Sequence, residues 1–92
     1  MKFDLGTLMH SAGVHQRMTD DYEFHNFVVK SLGYYVGCEW GDTCTEDAAL
    51  NEEAIINGDR IFAAYVHKDG TKIWIITEAD RSYTTILFPS EY

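Results

Sequence analysis

Cysteine is scarce in this sequence, and the two cysteines do not form a recognisable metal site. Cys38 and Cys44 are too few for a disulfide framework. Their C-x5-C spacing is not a usual zinc spacing, and no histidine pair follows at ligand distance. The four histidines also lack a metal-like spacing; they are His10, His15, His25 and His67. We therefore predict no metal, and no cofactor either, because there is no P-loop, dinucleotide fingerprint or calcium loop.

Long apolar runs are also missing. No run approaches the roughly 20 residues that a membrane-spanning helix requires. The first four residues lack the charged-then-apolar pattern of a signal peptide. We therefore expect a cytoplasmic protein without membrane association.

Basic residues are absent from the middle of the chain. The net charge is -8, and no lysine or arginine occurs between Lys30 and Arg60. Seven acidic residues fall in that interval: Glu39, Asp42, Glu46, Asp47, Glu52, Glu53 and Asp59. Such a surface repels phosphate backbones, because nucleic-acid affinity comes largely from Lys and Arg. Direct nucleic-acid binding is therefore not expected, whereas a basic protein partner is compatible with this charge.

The strands are the clearest local signal. With 92 residues and a hydrophobic fraction of 46%, the chain predicts one domain over residues 1–92. Residues 72–77 contain four large apolar residues in succession, which indicates a strand buried on both faces. The dipeptide Asp69-Gly70 predicts a type I′ hairpin that pairs this strand with residues 60–67. Residues 83–88 predict a third strand, and residues 3–9 weakly predict another.

Two helices are predicted before these strands. Asp20 and Glu23 form a capping box for a helix that stops at Gly37. A second capping box over residues 43–46 begins a helix that Gly58 closes. Residues 14–18 are compatible with either a helical turn or a loop. The sequence thus predicts an α+β domain, with a three- to four-stranded antiparallel meander and two helices on one face.

The second helix directs two polar side chains inward. A helical wheel places Asp47 and Asn51 on the same side as its small apolar residues, while Glu46, Glu52 and Glu53 face outward. Buried polar groups require hydrogen-bond partners. We predict a polar network in which Arg81, or the backbone of residues 39–42, supplies those partners.

The apolar strand at residues 73–76 needs cover on both of its faces. Two helices shield only one face of a sheet well. We therefore predict a homodimer that packs through the open sheet face.

The chain also resembles a known group of proteins. The matching residues in its first half are Glu39-Trp40-Gly41-Asp42, Cys44, Glu46-Asp47, Asn51 and Gly58. Those in its second half are Trp74 to Ser82, Thr84 to Pro89, and Glu91-Tyr92. Together they resemble a group of small, uncharacterised bacterial proteins that are often carried on plasmids and other mobile elements. Cys38 departs from that pattern, in which glycine is usual. The resemblance implies a context of mobile elements rather than a mechanism.

The acidic segment supports the leading functional hypothesis, a non-enzymatic binding protein. Its carboxylates could mimic nucleic-acid charge and occupy the basic groove of a nucleic-acid-binding protein. Mobile elements gain from blocking host restriction or CRISPR nucleases, which makes such proteins candidate targets. The predicted partner-binding residues are Glu39, Asp42, Glu46, Glu52 and Glu53.

An enzyme is the competing hypothesis. Glu78, Asp80 and Arg81 lie in the connection before the last strand, where they could supply a base and an anion clamp. A small hydrolase or nuclease-like enzyme would use these three residues. A deep pocket that joins them to a histidine would favour this reading, and a flat surface would favour the binding protein.

Overall fold

The computed structural model describes residues 2–92 and contains three α-helices and a four-stranded sheet. In chain order the elements are β1 (Thr7–His10), α1 (Ala12–Asp20), α2 (Tyr22–Val36), α3 (Thr45–Asn57), β2 (Ile61–Val66), β3 (Lys72–Thr77) and β4 (Tyr83–Leu87), followed by a 3-10 turn (Pro89–Glu91). The strands lie in the order β1-β4-β3-β2. The predicted α+β class is confirmed.

The sheet is mixed rather than wholly antiparallel. β2, β3 and β4 form the predicted antiparallel meander, with Ile61 opposite Thr77 and Ile75 opposite Ile86. β1 pairs with β4 in parallel, so the prediction of an antiparallel sheet is wrong at this strand. All three helices separate β1 from the meander, so no tight hairpin fixes its direction.

The hairpin between β2 and β3 is present, but its turn differs from the predicted type I′. A type I′ turn needs positive φ at both central residues, and only Gly70 is positive here, at 91°. The Gly70 N–H donates to the His67 carbonyl at 2.8 Å. The loop is therefore longer than two residues, and glycine occupies its left-handed position.

Three helices form where two were predicted. Residues 12–20 become α1 because the Ser11 hydroxyl caps it, accepting from the Val14 N–H at 3.1 Å. Asp21 has extended backbone angles, which separate α1 from α2. Its carboxylate then caps α2 by accepting from the Phe24 N–H at 3.1 Å, one residue later than predicted. Gly58, with φ 77°, closes α3 as predicted.

The main core lies between the sheet and the first two helices. Side chains alternate along the strands, so Ile61, Ala63, Tyr65, Ile73, Ile75 and Ile86 share one face. Buried side chains of α1 and α2 join them in one cluster, including Val14, Phe24, Val28 and Tyr35. The Tyr35 hydroxyl bonds Thr77 Oγ1 at 2.8 Å, and burial raises its pKa well above the ordinary value.

The opposite sheet face is covered mostly by its own side chains. The centre of the Trp74 ring lies 5.1 Å from that of the Phe62 ring and 5.5 Å from that of the Tyr92 ring. Ile76 and Leu87 on this face are only 4% and 8% exposed. The centre of the face is therefore already shielded within one chain, which removes the main reason for a dimer through it; that dimer stays a prediction. Within residues 2–92, no helix combines the length and apolar composition needed to cross a membrane.

Candidate functional site

The candidate site is the acidic belt, which we define as the seven carboxylates of residues 39–59. They lie on α3 and on the loops at its two ends. α3 lies along β2, and Asn51 joins the two elements. Its side chain donates to the Phe62 carbonyl at 2.6 Å and accepts from the Phe62 N–H at 3.0 Å. Asn51 is buried as predicted, but its partner is the β2 backbone. The predicted partners, Arg81 or residues 39–42, are wrong for this residue.

The loop before α3 continues along the same strand. The Thr43 hydroxyl accepts from the Ala64 N–H at 2.9 Å, so Thr43 serves β2 and not the predicted capping box. The Asp42 N–H donates to the Ala64 carbonyl at 2.9 Å, and the Asp42 carboxylate accepts from the Val66 N–H at 2.8 Å. Gly41 has φ 60°, and a side-chain carbon there would collide with the Tyr65 ring. Asp42 is therefore held in place as part of the sheet edge.

Glu52 is tied to the core through Trp40. The Trp40 indole N–H donates to the Glu52 carboxylate at 2.7 Å. The Trp40 ring is buried and packs edge-on against Tyr35. A buried indole N–H needs an acceptor, so Glu52 has a structural role besides its charge.

The outer face of α3 combines acidic and apolar side chains. Glu46 and Glu53 are seven residues apart and therefore lie on the same side of the helix. Leu50, 58% exposed, lies between them on this side, and Ile56, 84% exposed, is exposed further round the helix, next to Glu53. Sequence reasoning missed Leu50 and Ile56. Their signal was present, because both fall outside the inward stripe of the wheel.

The belt carboxylates have no ionic partners in the part of the chain that the structure describes. Its three ion pairs lie elsewhere: Arg17 with Asp21, Arg17 with Asp69, and Lys68 with Glu23. Glu39, Glu46 and Glu53 are exposed, and no hydrogen bond engages their carboxylates within residues 2–92. These three carboxylates are therefore free to contact a partner.

Arg81 ties the turn before β4 to the end of α3. It has φ 60°, and its guanidinium donates to the Asp59 carbonyl at 2.6 Å and to the Ala54 carbonyl at 3.0 Å. The predicted network of Arg81 with Asp47 and Asn51 is thus replaced by bonds to backbone carbonyls. Asp47 is half-buried and lines a cavity of about 380 Å³ with Trp74 and other residues.

The turn residues of the enzyme hypothesis do not meet a histidine. Glu78 and Asp80 line an open cavity of about 340 Å³ whose lining includes no histidine. The Asp80 carboxylate accepts from the Ser82 N–H at 2.9 Å, and hydrogen bonds from Ser82 lower the pKa of Asp80. His67 instead lines a separate cavity of about 420 Å³ between α2 and β2, which contains none of the three turn residues.

The chain was also compared with known proteins. Comparisons with protein-family models, with curated proteins and with solved structures gave no match.

Proposed function

We propose that this chain is a small, acidic, non-enzymatic binding protein that engages a basic surface of another protein through the acidic belt. The observation that carries the proposal is that the belt carboxylates lack ionic partners within residues 2–92, although α3 itself is firmly anchored. A solvated helix commonly neutralises its acids with nearby lysines or arginines. Here the nearby Arg81 instead donates to carbonyls.

The charge density of the belt suits mimicry of nucleic acid. α3 has 13 residues and so extends about 20 Å. One DNA strand carries a charge per roughly 3.4 Å of axis, or about six charges over that length. α3 itself carries four carboxylates over that length, and its two flanking loops add three more. A groove that binds one phosphate strand would therefore meet charge of the same order.

Anchoring makes this display effective. The Asn51 bonds to β2 hold the middle of α3, and the Arg81 bond to the Ala54 carbonyl holds its C-terminal part. A fixed helix loses little further backbone freedom on binding, which favours affinity. The exposed Leu50 and Ile56 add apolar contact area that phosphates do not have, which favours a protein as the partner.

The resemblance to proteins of plasmids and mobile elements suggests the class of target. We propose a cytoplasmic host-defence protein that binds nucleic acid, such as a restriction or CRISPR nuclease. In this scheme the chain binds neither nucleic acid nor membranes directly. The hydrolase alternative has less support, because Glu78, Asp80 and Arg81 engage their own turn and the end of α3 and share no cavity with a histidine.

The test compares capture of proteins from a bacterial lysate by immobilised variants, with mass spectrometry as the readout. The belt variant is Glu46→Gln with Glu53→Gln. The matched control is Asp4→Asn with Asp20→Asn, which changes the net charge equally at exposed positions outside the belt and breaks none of the ion pairs. We expect the belt variant alone to lose its captured nucleic-acid-binding proteins, and double-stranded DNA to displace them from the wild type.

Two further results decide the proposal. Circular dichroism should give the same melting temperature for both variants, because all four side chains are exposed. Ile56→Ser should weaken capture without changing the fold if the Ile56 side chain contacts the partner. Unchanged capture by the folded belt variant would mean that the belt only solvates the protein.

A further inference from the structure

The two edges of the sheet differ in how their backbone groups are satisfied. At the β2 edge, Asn51 bonds both backbone groups of Phe62, and the loop before α3 bonds Ala64 and the N–H of Val66. Side chains and loop backbone thus occupy the outward positions of this strand. Such capping prevents another strand from adding at that edge.

The β1 edge is open. All four residues of β1 are exposed. The Thr7 N–H donates to the Ser82 carbonyl at 3.0 Å, and the Ser11 N–H donates to the Ile86 carbonyl at 2.9 Å. Hydrogen-bonding direction alternates along a strand, so the backbone groups of Leu8 and His10 point away from β4. Within residues 2–92, no hydrogen bond engages those outward groups.

We propose that this edge pairs with β1 of a second copy of the chain, antiparallel, about a two-fold axis at Met9. Leu8 then lies opposite the second copy's His10, and the two N–H and two C=O groups that each strand directs outward form four hydrogen bonds. The two Met9 side chains meet at the axis on the face that carries Trp74. The result is a continuous eight-stranded sheet.

The charge of β1, and the fact that pairing would stop at two copies, favour a second copy of the chain over a different binding partner at this edge. β1 has the sequence Thr-Leu-Met-His and carries no carboxylate, although the net charge of the chain is -8. The acidic belt lies beyond β2, at the opposite edge of the sheet. In the dimer the two β2 strands are seven strand spacings apart, or roughly 34 Å, so the belts repel each other weakly. Because the β2 edge is capped, pairing stops at two copies.

The interface is small. Four residues per strand place it below the roughly 1,200 Å² typical of stable complexes, in the class of transient interfaces. We expect a dissociation constant on the order of 100 μM. If the proposed function also holds, each dimer presents two belts; that consequence rests on the proposed function, whereas the oligomeric state is measured without any partner.

The first test is sedimentation equilibrium of the wild type from about 10 μM to 1 mM. Leu8→Pro removes an outward N–H at an edge position that tolerates proline, and Leu8→Ala shortens the same side chain but keeps the N–H. We expect dimers for the wild type and Leu8→Ala, and monomers for Leu8→Pro. Val66→Lys places a charge on the Trp74 face of the sheet, but on β2 and far from β1, and should leave the dimer intact. A monomeric wild type at 1 mM, or a Leu8→Pro variant that dimerises like the wild type, would overturn the proposal.

A cross-linking test reads the register directly. The native thiols are first removed by Cys38→Gly and Cys44→Ser; Cys38 has φ 61°, which glycine adopts readily. Met9→Cys then places two thiols across the axis, at a Cα separation of about 4.5 Å that a disulfide spans. Leu8→Cys is the control, because its two Cα atoms lie about 8 Å apart. Air oxidation should yield covalent dimers only for Met9→Cys, and equal yields from both variants would contradict this register.

Discussion

Replacement of Arg81 tests how α3 is held. The Arg81 guanidinium donates to the Ala54 and Asp59 carbonyls, at the C-terminal end of α3 and just beyond it. Carbonyls near a helix C-terminus carry partial negative charge, so a cation there is favourable even though the Ala54 carbonyl also accepts from the Gly58 and Asp59 N–H groups. The position is half-buried, so solvent weakens both bonds. Arg81→Ala removes both bonds and the charge together.

The expected loss follows from these contacts. A hydrogen bond from a charged donor contributes about 1.5–3 kcal/mol, and we take about 1 kcal/mol for each of two bonds at this half-exposed site. The interaction with the helix end adds about 0.3–1 kcal/mol. The free energy of unfolding should therefore fall by about 2–3 kcal/mol. For a domain of this size, 1 kcal/mol corresponds to about 4–8 °C, so the melting temperature should fall by roughly 10–20 °C.

Comparing Arg81→Gly with Arg81→Ala separates the loss of the hydrogen bonds from the effect of backbone strain at this position. Arg81 has φ 60°, which costs a non-glycine residue about 1–2 kcal/mol, and alanine keeps that cost. Glycine removes this strain, but its unfolded chain is more flexible and loses more conformational entropy on folding. Arg81→Gly should therefore be more stable than Arg81→Ala by about 1 kcal/mol. Thermal unfolding at pH 7, followed by circular dichroism, measures both variants. The reasoning fails if Arg81→Ala melts within about 2 °C of the wild type, or if the glycine variant is the less stable of the two.

Three other side chains give separate predictions. Asn51→Ala should lower the free energy of unfolding by about 2–3 kcal/mol and speed amide exchange in β2, because two backbone groups lose their partner. Denaturant titration measures this loss, and a fall in the free energy of unfolding of less than about 0.5 kcal/mol would contradict the prediction. Tyr35→Phe removes a buried hydroxyl but leaves Thr77 bonded to Thr84. The free energy of unfolding should therefore fall by only about 1 kcal/mol, measured by the same titration. The Ser11 hydroxyl bonds the Glu91 carboxylate at 2.6 Å and lowers its pKa. A depressed carboxyl pKa gives stability that is present above the unfolded pKa, about 4.3, and is lost as pH falls through the folded pKa. Glu91→Gln should therefore lose less stability than the wild type in melts between about pH 5 and pH 3, and parallel curves would refute this.

Local chemistry made much of the fold predictable. Gly70 places a turn between two apolar strands, and Gly58 ends α3, because each signal acts on its own neighbours. The inward position of Asn51 follows from helical periodicity alone. Two features of the acidic belt, its composition and its lack of lysine and arginine, are likewise properties of the sequence.

Long-range pairing was not predictable in the same way. The direction of β1 depends on the route of the chain around three helices, and residues 3–9 contain nothing that specifies it. Asn51 and Arg81 both bond to backbone groups, which every residue carries, so sequence cannot name the partner. The outward exposure of Leu50 and Ile56 differs from these cases, because the helical wheel already placed both residues outside the inward stripe.

Neighbouring residues and composition specify the elements of the meander, the ends of the main helices and the acidic central segment without bases. Long-range packing specifies that α3 caps the β2 edge, that β1 joins in parallel and that the opposite edge stays open. Those outcomes depend on contacts between residues far apart in the chain. Their hydrogen bonds involve backbone groups common to all residues, so only the folded arrangement selects among them.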